Sequence, residues 1–253
     1  MLFNILGSGT STGVPMVGCD CPVCRSTDPR DKRTRSSLLI RHKDRNIIID
    51  TSTDLRQHVL RERLPRVDAV LFTHSHADHV NGIDDLRGFH FLHQQIVPCF
   101  ASAETLAVLR SSFHYIFDDG TPAYPPIMRA HEITAPFNLF GIPVVPVPLE
   151  HGITSALGFR FGQVAYLTDC NAIPDSSLAL LKGVDILVID GLRWHPHPFH
   201  FNIEAAIQAA RQLNTRRIIL THLSHSVLYS DHSRLPPGVE FAYDGMEFEA
   251  PVF

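Results

Sequence analysis

Short apolar runs, separated by charged stretches and by glycine- and proline-rich stretches, predict alternating strands and helices along this chain. Strands are expected over residues 2–6, as a hairpin of 36–41 and 46–50 turning at 42–45, and at 69–72 and 97–101. The second half offers further strands at 143–149, 157–161, 164–167, 185–190 and 217–220. Helices are expected near 54–62, within 80–92, at 103–110, near 175–181 and at 203–213, the last opened by Asn202 as N-cap. The mixed charges of 30–35 read as a solvated connection. Residues 113–136, with several prolines and with Tyr115, Tyr124, Met128 and His131, read as an irregular loop over a site mouth. The alternation fits a layered α/β protein but does not separate a sandwich from a doubly wound sheet.

Composition narrows the classes. A chain of 253 residues with 44% hydrophobic and 19% charged residues is an ordinary globular protein, long enough for one sizeable α/β unit. A net charge of −4 gives no bulk electrostatic reason to expect nucleic-acid binding. Met1 to Leu6 runs straight into Gly-Ser-Gly without a signal-peptide pattern, and no apolar run approaches the roughly 18 residues of a membrane span. The expectation is a cytoplasmic protein whose five cysteines are reduced unless they hold metal. Sixteen histidines are many for this length and hint at metal chemistry.

The chemistry concentrates in His74-Ser75-His76-Ala77-Asp78-His79, an H-x-H-x-D-H stretch between an apolar strand and a helix. His74 and His76, two apart on extended chain, can face one point. Asp78 and His79, at the turn into a helix, can face a second point close by. Neutral imidazoles and a carboxylate so arranged suit two metal ions sharing one site. The loop Gly7-Ser8-Gly9-Thr10-Ser11-Thr12-Gly13 follows a strand but lacks the Gly-Lys-Ser/Thr ending of a P-loop, and reads first as a structural turn. Cys19, Cys21 and Cys24 form a C-x-C-x-x-C cluster too tight for unstrained disulfides, and three thiolates call for a fourth ligand. Cys99 and Cys170 lie in apolar runs and read as packing residues.

The stretch THSHADH resembles the signature of the metallo-β-lactamase superfamily. From GSGTSTGVP to FAYDGMEF the chain resembles the PhnP-type phosphodiesterase branch of that superfamily. The resemblance implies a four-layer αββα sandwich, as one metallo-β-lactamase-fold domain over residues 1–253 with a zinc-stapled loop around 19–24. It implies a first ion held by His74, His76, His151 and Asp169, and a second held by Asp78, His79, Asp169 and His222, with Asp169 bridging. Zinc or manganese would fill these positions, and a structural zinc would sit on Cys19, Cys21, Cys24 and His225. Asp50 would support the ligands by hydrogen bonding, an N-cap of the following helix being its plainer reading. His200 would reach over the metals and assist cleavage, with His195 and His197 as alternatives, while Asp78 would orient or deprotonate the water. Arg193 could meet a phosphate or a surface carboxylate.

The activity so implied is hydrolysis of a small phosphodiester, cyclic ribosyl or nucleotide-like, by a water activated between two metals. A tRNA 3′-processing nuclease of the same fold would add an extended arm or a basic surface. A thioester or lactone hydrolase would use the same metals on carbon. A non-catalytic metal-binding protein would be marked by a missing ligand, and none is missing. A homodimer is a further expectation that no residue pattern carries.

Overall fold

The computed structural model describes residues 1–117 and 125–251. Among them the chain forms two seven-stranded mixed sheets. The first contains β1 (Leu2–Gly7), β2 (Ser37–His42), β3 (Arg45–Ile49), β4 (Ala69–Leu71), β5 (Val97–Ala101) and β6 (Met128–Glu132). The second contains β7 (Phe137–Leu139), β8 (Ile142–His151), β9 (Thr154–Phe161), β10 (Val164–Leu167), β11 (Ile186–Asp190), β12 (Arg217–Thr221) and β13 (Val239–Phe241). A last strand, β14 (Met246–Glu249), crosses back and pairs antiparallel with β1. β3 to β6 run parallel in the first sheet and β10 to β13 in the second.

Most central strands lack apolar–polar alternation because both of their faces are buried. In β3, Ile47 and Ile49 point between the sheets while Ile48 points outward; in β2, Leu38 and Ile40 point inward and Leu39 outward. The inward residues meet Phe159, Phe161, Tyr166 and Val188 of the second sheet. Outside the first sheet lie the helices Leu55–Arg61, Arg87–His93 and Ala103–Ser112, which contribute Leu55, Phe89, Leu106 and Leu109. Outside the second lies Ile203–Gln212, contributing Ile203, Ala206 and Ala210, with Asn202 Oδ1 accepting from Ala205 N at 2.9 Å as its cap. This is the four-layer αββα sandwich. No helix among the described residues is long and apolar enough to cross a membrane.

Several local expectations need correction. Residues 30–35 are not a solvated link: the Asp31 and Arg33 side chains are buried, pair at 3.0 Å, and the guanidinium donates to Ser224 O and Val227 O. Charges can be buried when paired and hydrogen-bonded, and their partners lie too far along the chain to be read locally. Residues 113–136 are not one irregular loop either. His114–Phe117 is helical, and β6 pairs in register with β5, the His131 ring stacking on Phe100. Tyr124 lies outside the described residues.

The crossing from β13 to β14 is clamped by Asp244. Its carboxylate accepts from Ser8 N–H at 2.9 Å, Ser8 Oγ at 2.8 Å, Thr34 N–H at 2.8 Å and the Thr34 hydroxyl. Thr34 Oγ1 in turn meets His58 Nε2 at 2.7 Å, and burial drives the His58 pKa down to about 3, so this ring stays neutral. The clamp joins the loop after β1, the segment before β2 and the chain's last strand. Asp244→Ala should lower unfolding free energy by about 3 kcal/mol, since several enclosed donors lose their acceptor. Urea unfolding of the metal-loaded protein checks this; an unmoved midpoint would mean that water replaces the carboxylate without cost.

Candidate metal centre

The residues singled out by the H-x-H-x-D-H motif and its partners leave the same end of the two sheets. Asp50 follows β3, His74 and His76 lie beyond β4, His151 ends β8, Asp169 follows β10, and His222 follows β12. Layered α/β proteins leave a crevice at the carboxyl ends of their parallel strands. Backbone bonds tie the sheets together there: Leu157 N–H donates to Thr73 O, and Leu223 N–H donates to Ser8 O, both at 2.8 Å.

Asp50, Asp169 and His222 adopt left-handed backbone, with φ of 63°, 54° and 57°. For a residue carrying a Cβ this costs about 1–2 kcal/mol, and Asp and His are among the types that bear it most readily. A left-handed residue ends an extended run in one step and turns the chain away. Strain gathered at one spot is a mark of function.

The structure brings together two overlapping groups of four, and His222 also joins Asp190 and His200 in a group of three. In His74, His76, His151 and Asp169, and again in Asp78, His79, Asp169 and His222, one ligand-type atom per residue lies within 4.8 Å of all the others. Asp169 belongs to both. Its Oδ1 lies 3.2 Å from His79 Nε2, and its Oδ2 lies 3.3 Å from His222 Nε2, 3.9 Å from His74 Nε2 and 4.0 Å from His151 Nε2. Asp78 Oδ2 is 3.3 Å from His79 Nε2 and 3.7 Å from His222 Nε2. Ligands at ~2.0–2.1 Å around a tetrahedral ion are roughly 3.3 Å apart.

Hydrogen bonding supplies the test of fit. His74 Nε2, His79 Nε2, His222 Nε2 and Asp78 Oδ2 are buried without a hydrogen-bond partner. Buried polar atoms are nearly always paired. Here the unpaired ones gather around one carboxylate, as a nitrogen and oxygen donor set that zinc, manganese or iron accepts. The residues present fit divalent ions.

The charges are arranged accordingly. Burial disfavours a charged His79, but Asp169, Asp50 and Asp78 outweigh it and hold its pKa well above the usual imidazole range. At His222 burial is likewise overcome by Asp169 and Asp78, which lift it to about 9. Burial, then the neighbouring His79, keeps His74 well below its ordinary value. Burial opposes ionisation of Asp78, yet His79 and His222 hold its carboxyl below the usual range.

A second ring of contacts orients these groups. Asp50 accepts from Thr73 N–H and Thr73 Oγ1, each at 2.8 Å, and from His79 Nδ1 at 2.7 Å. It is not a helix cap: that helix starts at Leu55, with Asp54 at the cap position. His151 Nδ1 donates to Phe199 O at 2.8 Å. His200 Nδ1 lies 2.6 Å from Asp190 Oδ2, and Asp190 also accepts from Cys170 N–H at 3.1 Å. Sequence reasoning passed over Asp190, although it ends an apolar run as Asp50 ends another. The His200 ring stacks on His222 at 4.8 Å and packs against His151 at the same distance. His197 stands 5.1 Å from His200 and is outside both ligand groups, while His195 is exposed on the loop. The Arg193 guanidinium donates to His195 O and Pro196 O and braces its own loop, and it makes no ion pair among the described residues.

Away from this cluster, Cys19, Cys21, Cys24 and His225 gather in the same way. Cys19 Sγ and Cys21 Sγ lie 3.3 and 3.5 Å from His225 Nδ1. The Cys24 N–H donated to Cys21 Sγ is the main cause that brings Cys21 down to about 6, while burial pushes Cys24 up to about 11. Cys99 and Cys170 are fully buried in the helix-side cores.

Paired sheets under external helices, with a shared carboxylate among histidines at the strand ends, define an α/β sandwich carrying a candidate metal centre. The chain belongs to the metallo-β-lactamase superfamily, in its PhnP branch; the Beta-lactamase superfamily domain matches residues 45–223. A solved diphosphatase of the PhnP family superposes with a TM-score of 0.92 at 39% identity, over 99% of this chain and 98% of that one. An octanoyltransferase of Porphyromonas gingivalis is 41% identical over 249 residues, 96% of this chain but 50% of that protein. The chain thus spans about half the length of that curated relative. Zinc-bound PqqB of Methylobacterium extorquens (20% identity, TM-score 0.78, 99% and 100% of the two chains) shares the fold. So does the short form of human tRNase Z (17% identity, TM-score 0.71, 100% of each chain).

The raised pKa values of His79 and His222 have a measurable consequence. In chelator-treated protein at pH 7 both rings carry a proton that a metal ligand must give up. Divalent-ion binding should therefore release more than one proton per chain and tighten as pH rises toward about 9, the His222 value. Calorimetry in buffers of different ionisation enthalpy reads the release directly. Affinity that is flat between pH 6 and 9 would sink the charge assignment.

Proposed function

We propose that the protein hydrolyses a phosphodiester bond of a small, nucleotide-like molecule with two divalent ions. His74, His76, His151 and Asp169 hold one ion, and Asp78, His79, Asp169 and His222 hold the other. The observation that carries this reading is the gathering of unpaired buried imidazole nitrogens around the Asp169 carboxylate. Divalent ions bound there supply Lewis acidity toward phosphoryl oxygens and make a neighbouring water acidic near neutral pH.

The chain's own residues supply the rest. Asp78 stays ionised, so its carboxylate can accept a hydrogen bond from the attacking water and hold it in line. Asp190 accepts a hydrogen bond from His200 Nδ1–H, which leaves Nε2 as the atom available to the reacting group. Carrying a second proton on Nε2, His200 would give it to the leaving oxygen or donate a hydrogen bond to charge developing on a phosphoryl oxygen, with Asp190 offsetting the imidazolium charge. Cys19, Cys21, Cys24 and His225 bind a structural zinc, and their thiolates suit the reducing cytoplasm.

Phosphorus is preferred over carbon because the PhnP-family diphosphatase matches this chain end to end. The octanoyltransferase matches over half its length, so its name cannot be attached to the matching half. It does keep acyl thioesters in view, and an octanoyl thioester belongs in the same assay.

The test is hydrolysis of bis(p-nitrophenyl) phosphate, p-nitrophenyl phosphate and an octanoyl thioester by zinc- or manganese-loaded protein, beside a metal count. Diester cleavage far above the other two, with about three ions per chain, supports the reading. Thioester cleavage without diester cleavage overturns it. His200→Ala should lower diester turnover by about 10²–10⁴-fold with unchanged metal content, and a preserved rate would move the role to His197. Cys21→Ser should remove one ion per chain and lower the melting temperature while leaving diester cleavage measurable. An unchanged zinc count would refute the structural site.

A further inference from the structure

Phe199 is a large apolar side chain left 44% exposed at the rim of the metal centre, and Ile153, which follows Gly152 in the chain, is 96% exposed. The exposure is built in. The Phe199 carbonyl accepts from His151 Nδ1 at 2.8 Å, and its N–H donates to His197 Nδ1 at 3.3 Å. The ring lies over Gly152, where a Cβ would come within 2.0 Å of it and where φ is +61°, a left-handed value suited to glycine. Pro196 and Pro198 limit the backbone freedom of this loop, and Arg193 braces it through two carbonyls. The ring is thus covered on its Gly152 side and held with the remainder facing solvent at the rim.

Position gives the ring a use. The His197 ring lies 6.0 Å from Phe199 and 5.1 Å from His200, and His200 lies 4.8 Å from His151. A molecule whose phosphate sits at the metals can therefore extend its next substituent past His200 and His197 toward Phe199. Because His197 Nδ1 accepts a hydrogen bond, the neutral ring keeps its proton on Nε2, as a donor to a polar edge. A nucleobase offers both a flat face and polar edges.

We infer that Phe199 is a specificity-determining platform on which a nucleobase of the substrate stacks, flanked by Ile153 and His197, while the phosphodiester lies at the metal centre. This deepens the phosphodiesterase reading and rests on it. Stacking of a base on an aromatic side chain is sequence-tolerant, so the platform selects nucleotides over simple sugar or alkyl phosphates without choosing among bases.

Two diesters with one leaving group test it, thymidine 5′-(p-nitrophenyl phosphate) and methyl p-nitrophenyl phosphate. Wild-type kcat/KM should favour the thymidine diester at least about tenfold, and Phe199→Ala should remove that preference through KM, lowering kcat/KM on the thymidine diester at least about tenfold more than on the methyl diester. Phe199→Trp should keep it. An equal fall on both diesters would overturn the platform, since Phe199 would then act only by positioning His151. A preference that survives Phe199→Ala would overturn it as well.

Binding separates this inference from the reading beneath it. In calorimetry on metal-loaded protein, thymidine 5′-monophosphate should bind about tenfold tighter than ribose 5-phosphate, and Phe199→Ala should equalise them. If neither diester is cleaved, the phosphodiesterase reading fails, and the binding comparison alone decides the platform. Equal wild-type affinities for the two monophosphates would reject it.

Discussion

The shared carboxylate of Asp169 is the constraint around which this molecule is arranged. Both of its oxygens face imidazole nitrogens, at 3.2 to 4.0 Å, in a place almost closed to solvent. An isolated buried carboxylate is strongly disfavoured, and three more acids, Asp50, Asp78 and Asp190, lie at the same sheet ends. Each is answered by a ring: Asp50 and Asp78 by His79, Asp190 by His200, and Asp78 again by His222. Alternating acids and imidazoles make the cluster tolerable to the fold. They leave the Nε2 atoms nearest Asp169 without hydrogen-bond partners, which is the condition for binding a cation rather than for completing a polar network.

That arrangement demands that two sheets end at one level, and backbone strain is part of how they do so. β3, β10 and β12 are closed, within two residues of their last strand position, by left-handed Asp50, Asp169 and His222. A glycine would adopt this backbone at less cost but would carry no ligand atom. Asp and His at such positions put a donor atom at the point where the strand stops. The cost falls on stability, and the buried isoleucine, valine and phenylalanine layer between the sheets is large enough to absorb it.

Much of this was legible in the chain because the carrying signals are local. H-x-H-x-D-H needs six consecutive residues, and apolar runs that end in Asp50 or Asp169 announce a strand end beside a polar site. The long strands and main helices likewise follow from buried runs and caps. What stayed hidden depends on partners distant in sequence. β7, β13 and β14 are short, and two of them alternate with glutamate, so only pairing reveals them. β8 continues past the expected end at Leu149 through Glu150 to His151. Asp31 and Arg33 look solvated until the carbonyls of Ser224 and Val227 are brought to them. Asp190 looks like a strand boundary until His200 folds back over it.

The segment after β12 shows how the cysteine cluster and the strand-end cluster are coupled. His222 and His225 are three residues apart, one in each cluster. Between and beyond them the backbone is held by Ser8, through Leu223, and by the buried Arg33 guanidinium, through Ser224 O and Val227 O. Asp31, the partner of Arg33, also accepts from Tyr229 N–H at 2.7 Å. The segment is therefore anchored by hydrogen bonds to the N-terminal loops independently of any thiolate. The cysteine cluster adds a further tie from residues 19–24 to His225, on the far side of Leu223 from His222. A disturbance confined to the cysteines must cross these backbone anchors to reach His222, whereas loss of Arg33 would leave Ser224 O and Val227 O without their donor and the segment resting on its bonds to Ser8 and Asp31.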